Sequence, residues 1–430
     1  MAAEGNPLGQ SLLKEYGNCL CEYHGKGVIK IEDGKKFDCL FEAGQLTNGQ
    51  VLLLCDFVPP LLTDLSISAI KFEGTTSDGF RICATEAFSE TSYLPDIPID
   101  RSSGVWAAFH IQRMTVQVAE EERSHFLHFG ITNFEFIGTE PTRAPDNSFH
   151  LTLPLDLQSD SRSTRLLIKP LDLNGKIMRR LRTLKSVDVS CEAIAEISAD
   201  GDVAVFTEVV DDLCYILSVA RGTKIQWVYC DSYNAAGKLI SRNHFSRITK
   251  PYCPLPIIHP VFNGGKETKT FIEQTYKTYV AKRESHNLNK GTIDAYLDAK
   301  AEADFLEMRG VKFAVAMEIL KTVFRKAIKI KGGAFRSIIE NLCDFINLQI
   351  DPQEINLFVE CRNSLIHEGK FYCETATPKK RNRCKPLNIK PEEYLFLVNF
   401  LDKVFLKLLG YSGPYIDWRI PGNPIHRDQV

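Results

Sequence analysis

From about residue 17 to residue 260 the apolar residues come in short runs rich in β-branched and aromatic side chains, separated by Gly, Asn, Asp or Pro. Runs of that length and content read as strands. They fall at 27–31, 51–54, 66–70, 80–84, 106–111, 126–136, 148–153 and 165–168, then at 187–191, 204–207, 214–219 and 224–229. The runs on either side of 73–79 read as a hairpin. The exception is KIMRRLRTLKS after Asn174-Gly175, a short basic segment with the pattern of one helix. Many short strands joined by turns predict a sandwich or barrel-like region, built as one sheet or two, whose strand order the pattern does not fix.

Proline and glycine cluster in KPYCPLPIIHPVFNGGKE, 250–267, the composition of a domain boundary. Beyond it the apolar period changes from two to about 3.6. Helices are expected at 268–284, at 292–328 as one long helix or two in tandem, and at 334–346, 352–368 and 391–409. Short connections favour an antiparallel bundle. At 430 residues the chain exceeds one hydrophobic core. The expected class is therefore α+β multidomain: a β-rich N-terminal region at 17–260, an α-helical bundle at 268–410 and a C-terminal tail at 411–430.

Composition adds mainly exclusions. A net charge of -2 gives no global pull toward nucleic acid or membrane, so any such attraction is local. The 13 cysteines lack a repeated C-x-x-C spacing, which reads as reduced thiols of a cytosolic protein. Cys19 and Cys21 stand two apart, but no second pair follows at zinc-site spacing, so no metal and no cofactor is expected. The most apolar run, 51–62, is broken by Asp56, Pro59 and Pro60, and MAAEGNPLGQ lacks the basic and apolar regions of a secretory signal. A soluble, cytoplasmic protein with no membrane partner is the expectation. Serine-histidine-acid, Walker A and dinucleotide-glycine patterns are absent.

One stretch reads as chemistry: DPQEINLFVECRNSLIHEG, 351–369. Asp351 suits an N-cap, Pro352 the first helical position, Glu354 a capping box with Asp351, and Gly369 a left-handed stop. On this helix stand Arg362, Asn363 and His367, spelled R-N-S-L-I-H. Arginine, a polar residue, three spacers and histidine on the penultimate helix of a C-terminal bundle resemble the HEPN superfamily of nucleotide-binding and RNA-cleaving domains. The β-rich region, through FEGTTSDGFRI and LSVARGTKIQWVYCDSY, is similar to the front part of ApeA-type abortive-infection proteins. The resemblance implies a homodimeric endoribonuclease of anti-phage defence, with an N-terminal region that senses an unknown trigger or holds the nuclease off.

The residue types fit that chemistry. Metal-free RNA cleavage needs groups to move two protons and a cation for the charge gathering on phosphate. His367 suits either proton, and the last turn of a helix favours its imidazolium. The Arg362 fork can hold two phosphate oxygens, while Asn363 would orient substrate or histidine. At 100° per residue Arg362 and His367 lie roughly 140° apart around the helix, so two such helices meeting at a two-fold axis would complete one cleft. Glu318 falls within an apolar stripe; buried, it needs a partner, for which Arg362 is a candidate, and at the edge of the stripe it pairs with Lys321, Arg325 or nothing. The following TPKKRNRCKPLNIKP carries Lys379, Lys380, Arg381 and Arg383 without an acid, a segment that guides an RNA backbone or is simply solvated. The alternative function is a non-catalytic module that binds a nucleotide or a protein, with the Arg-His pair structural.

Overall fold

The computed structural model describes residues 11–31, 35–57, 70–89, 105–119, 122–143, 149–160, 162–171, 175–197, 202–247, 250–252, 255–283, 288–301, 305–327, 333–382, 384–420 and 425–426. In chain order its elements begin with α1 (Leu13–Tyr16), β1 (Cys19–Ile31), β2 (Lys36–Leu46), β3 (Val51–Phe57), β4 (Ile70–Thr76), β5 (Arg81–Ser89), β6 (Val105–Gln117) and β7 (Phe126–Thr132). There follow β8 (Glu140–Arg143), β9 (Phe149–Gln158), β10 (Ser163–Pro170), α2 (Lys176–Leu184), β11 (Val189–Glu196), α3 (Val203–Arg221), β12 (Trp227–Tyr233) and β13 (Leu239–Phe245). Helices α4 (Lys266–Arg283), α5 (Ile293–Lys300), α6 (Leu306–Ala327), α7 (Phe335–Phe345), α8 (Pro352–Glu368), α9 (Tyr372–Thr375), α10 (Pro378–Arg381) and α11 (Lys390–Leu408) come next. A small pair, β14 (Tyr415–Ile416) and β15 (Ile425–His426), ends the series. The class is α+β, with a barrel-like β region before a helical one.

The chain forms two compact units, each discontinuous in sequence: 1–132, 187–206 and 226–250 in the first, and 133–186, 207–225 and 251–430 in the second. The second unit resumes at Pro251, inside the proline-rich boundary, but it also takes two earlier segments from the span expected to be wholly β-rich.

In the first unit, antiparallel strands run in the order β3-β2-β1-β4-β5-β6, and pairing of β3 with β6 closes them into a barrel. Alternation puts Ile29, Phe41, Ala43, Leu53, Phe72 and Phe109 inside, all buried. The outer wall carries a smaller core in which Leu13 of α1 covers Leu46, Leu52 and Leu54. Gly44 permits this approach, since a Cβ there would lie 2.8 Å from a Leu13 methyl. Residues 113–117 of β6 pair onward with β13, and β12, β7 and β11 continue as an open antiparallel sheet.

The second unit sets the antiparallel meander β8, β9, β10 against α4, where Glu273 takes the Asp156 amide at 2.9 Å and the Lys269 ammonium at 2.8 Å. Helix α6 packs against α5, α8 and α11. Aromatic contacts fill the interior, among them Phe358 stacked on Phe400 at 4.3 Å between centroids. Arg221 is buried and donates to the Glu135 carbonyl at 2.7 Å, the Ile258 carbonyl at 2.8 Å and Thr268 Oγ1 at 2.9 Å. Residues 411–420, expected as a tail, pack into this unit: the Ile416 amide donates to the Ile257 carbonyl at 2.8 Å and Trp418 Nε1 to the Pro256 carbonyl at 3.0 Å.

The expected strands at 204–207 and 214–219 are instead parts of the single helix α3. Its residues Val209, Val210, Leu213, Cys214, Ile216, Leu217 and Val219 are all buried, so it is apolar nearly all round and shows neither period. The span 292–328 divides into α5 and α6. Of the expected strand 66–70, all but Ile70 lies outside the described residues. The described cysteines are free thiols. Among the described residues no helix is long and apolar enough to cross a membrane.

Candidate functional site

Helix α8 forms where the sequence writes its ends. The Asp351 carboxylate accepts the Gln353 amide at 2.8 Å, Pro352 occupies the first turn, and Gly369 closes the helix at φ 67°. The expected capping box does not form, because Glu354 turns to Arg419 at 2.9 Å and Lys403 at 3.9 Å. A cationic partner outbids one backbone amide for a carboxylate. One face of α8, with Ile355, Phe358, Cys361 and Leu365, is buried. At Gly310 of α6 a Cβ would stand 3.0 Å from both Leu365 methyls, so glycine is what lets the two helices come this close.

That closeness delivers the Arg362 guanidinium to α6. Nη2 donates to Glu318 at 2.5 Å, Nη1 donates to Asn363 Oδ1 at 2.8 Å, and the group lies 4.9 Å from the centre of the Phe335 ring. Lys321 pairs with the same Glu318 and also faces Phe335, at 5.1 Å. Of the partners the sequence offered Glu318, Arg362 and Lys321 are both engaged. Burial pushes the Glu318 pKa up, but hydrogen bonds from Lys321 and Arg362 outweigh it and hold the carboxyl below its ordinary range. Arg362 Nε is buried without a hydrogen-bond partner among the described residues.

His367 stands in the last turn of α8 and is exposed, with no hydrogen bond or ion pair among the described residues. The structure does not join it to Arg362. Next to it, Glu368 pairs with Lys380 at 3.0 Å, which ties the short basic helix α10 to the histidine end of α8. Lys379 and Arg381 are exposed there, and Arg381 Nε donates to the Ala376 carbonyl at 3.1 Å. Arg383 lies outside the described residues. A cleft of about 860 Å³ opens at the other end of α8, lined by Glu340, Asp344 and Asp351. Its carboxylates repel phosphate, and it contains no motif residue.

Behind the motif, Glu393 of α11 is fully buried and neither carboxylate oxygen has a hydrogen-bond partner among the described residues. Burial pushes its pKa up to about 7, although the Cys373, Tyr372 and Leu387 amides and the Cys361 thiol oppose the shift. A raised acid pKa means that the folded chain binds the proton more tightly, so stability falls as pH rises from the ordinary carboxylate range through about 7. Glu393→Gln is therefore expected to raise the melting temperature more at pH 8 than at pH 5; an equal change at both would contradict it.

Sequence reasoning missed a polar array in the first unit. Arg242 holds Asp231 through Nε at 2.7 Å and Nη2 at 2.5 Å, Tyr229 donates to Glu192 at 3.0 Å, and His128 approaches Glu192 at 3.4 Å. Beside it His244 is buried between Gln45 at 2.9 Å and Tyr23 at 3.1 Å, and burial followed by the Arg242 charge pushes its pKa down to about 3. Tyr229, Asp231 and Tyr233 alternate along one strand, but only strand register reveals their partners on β11 and β13. The array is mutually satisfied. A shallow cleft of about 780 Å³ on the barrel, lined by Lys26, Asp38, Asp56, Glu73 and Arg81, also lacks a nucleophile-base pair.

No family model matches this chain, and no curated protein and no solved structure matches it at a significant level.

Proposed function

We propose that the second unit is a HEPN-like, metal-independent endoribonuclease that works as a homodimer, of the kind that serves anti-phage abortive infection. The observation that carries the reading is the R-N-x-x-x-H helix end: a free, exposed His367 beyond an Arg362 held by Glu318 and Asn363, with the cations of α10 alongside. In the reaction the substrate 2'-oxygen bonds to phosphorus as its proton passes to a base. The bond from phosphorus to the 5'-oxygen then breaks, and that oxygen takes a proton from an acid. No proton is consumed overall, and the ends are a 2',3'-cyclic phosphate and a 5'-hydroxyl. One chain offers one exposed motif histidine, so the second proton transfer falls to His367 of a second copy across a two-fold axis. The first unit would hold the trigger.

One observation favours a second reading, a non-catalytic nucleotide- or protein-binding module: Glu318 already occupies part of the Arg362 fork. The test is cleavage of a mixed RNA pool in EDTA by the purified chain and by His367→Ala, with fragment ends identified. Cyclic-phosphate ends that vanish in the variant are expected. Ends that persist in His367→Ala would remove the histidine from the mechanism, and intact RNA with both proteins would favour the binding module.

A further inference from the structure

We propose that the outer wall of the barrel carries a Zn²⁺ site made by Glu22 and His24 of β1 and Glu42 of β2, with Cys19 supplying the fourth donor. The placement follows from strand register. His24 is directly opposite Glu42 and Glu22 is directly opposite Gly44, so these positions share one face. One ligand atom each from Glu22, His24 and Glu42 lie within 4.8 Å of one another. Simple alternation would send Cys19 to the other face with Cys21 and Tyr23. A bulge between Cys19 and Cys21 resets the register, puts Cys19 opposite Leu46, and so returns it to the face of Glu22 and His24. Its thiol lies beside the Glu22 carboxylate. The two cysteines that the sequence sets close together therefore point to opposite faces; the Cys19 thiol lies beside Glu22 and donates to the Gly17 carbonyl at 3.8 Å, so a rotation of its side chain would bring it to the metal.

Two further observations point to a cation. His24 Nδ1 is buried without a hydrogen-bond partner, a polar atom whose desolvation nothing among the described residues repays. Two carboxylates converge on it, and the Lys14 ammonium, 3.9 Å from Glu22, is largely exposed. Imidazole, carboxylate and thiolate together suit Zn²⁺; Mg²⁺ and Ca²⁺ prefer oxygen alone. Glu42 is fully buried and already accepts the Ser11 hydroxyl and the amides of Leu12, at 3.0 Å, and Leu13, at 3.3 Å. A metal on this carboxylate would therefore also fix the start of α1, so occupancy and the docking of α1 are linked.

The experiment uses the full-length chain, stripped with a chelator, desalted and titrated with ZnCl₂, with Co²⁺ as a spectroscopic substitute. One Zn²⁺ per chain is expected, and Glu22→Gln and His24→Gln should each weaken binding at least about tenfold, since even outer-sphere partners of a metal are worth that much. Cys19→Ser should remove the thiolate-to-cobalt charge-transfer band. Circular dichroism of the variants, both of which sit on a partly exposed wall, establishes that they fold, and Zn²⁺ should raise the melting temperature of the wild type but not of His24→Gln. Stoichiometric binding unchanged in both folded variants would place the metal elsewhere and overturn the site. Absence of binding by the wild type would do so directly. Because the readouts are binding and stability, they are independent of whether RNA is cut.

Discussion

Asp402→Ala is expected to destabilise the second unit by about 3–5 kcal/mol, the cost of leaving one half of a buried ion pair alone. Asp402 and Lys300 both have fully buried side chains, 2.7 Å apart, where α11 meets the end of α5. Lys300 also donates to the Leu255 carbonyl at 3.1 Å and lies 4.7 Å from the centre of the Tyr296 ring, and the Tyr296 hydroxyl donates to Asp402. Burial pushes the Asp402 pKa up and the Lys300 pKa down, and the attraction between them opposes both shifts. Alanine removes that attraction and strands the ammonium in a dry interior. For a unit of this size the loss should lower its melting temperature by about 6–20 °C. The pair itself adds little net stability, because desolvation consumes most of the Coulomb gain. Lys300→Met combined with Asp402→Asn, which keeps an acceptor for Tyr296, is therefore expected to recover most of the loss. A single variant within about 1 kcal/mol of wild type would show that water reaches the pair.

The elements read correctly from sequence are those whose information is local. Helix α8 carries its own N-cap, first-turn proline and C-terminal glycine, and it was expected to within a residue of where it lies. The change of period near residue 260 marks where uninterrupted helices begin. Helix α3 failed for the converse reason. Its buried positions surround the axis, so its valines and Ile216 look like strand residues in any short window, and only the surrounding packing makes it helical. Barrel closure was equally illegible, since the pairing of β3 with β6 joins segments whose contact no local pattern announces.

The candidate sites divide in the same way. Arg362, Asn363 and His367 share one helix, so spacing alone displays them. Glu318 belongs to another helix, and its contact with Arg362 depends on the close packing that Gly310 allows. The Glu22, His24 and Glu42 group depends on register between two strands, and the placing of Cys19 on its face on a single bulge. A search of sequence for cysteine pairs passes over such a site, because its ligands are spaced by a sheet.

Arg362→Ala is expected to lower RNA cleavage about 10²–10³-fold, the usual loss when one preorganised donor to a developing oxyanion is removed. Glu318 already holds this guanidinium, but arginine has five N–H groups, and the Glu318 and Asn363 bonds take two of them while the buried Nε accounts for a third. One N–H on each terminal nitrogen remains, the number a phosphate needs for a two-point grip. On the nuclease reading Glu318 is a positioning residue that orients the fork, and its lowered pKa keeps it ionised at neutral pH. Its contribution to stability is present above the ordinary carboxylate range and fades as pH falls through the lowered folded value. Glu318→Gln should therefore cost cleavage less than Arg362→Ala, with the loss in single-turnover rate and little change in RNA affinity. Structural failure is separable, because in Arg362→Ala the carboxylate keeps Lys321 and the site is only half-buried. If Arg362→Ala cut at the wild-type rate but melted at lower temperature, the arginine would be a packing residue and the bundle would be read as a binding module.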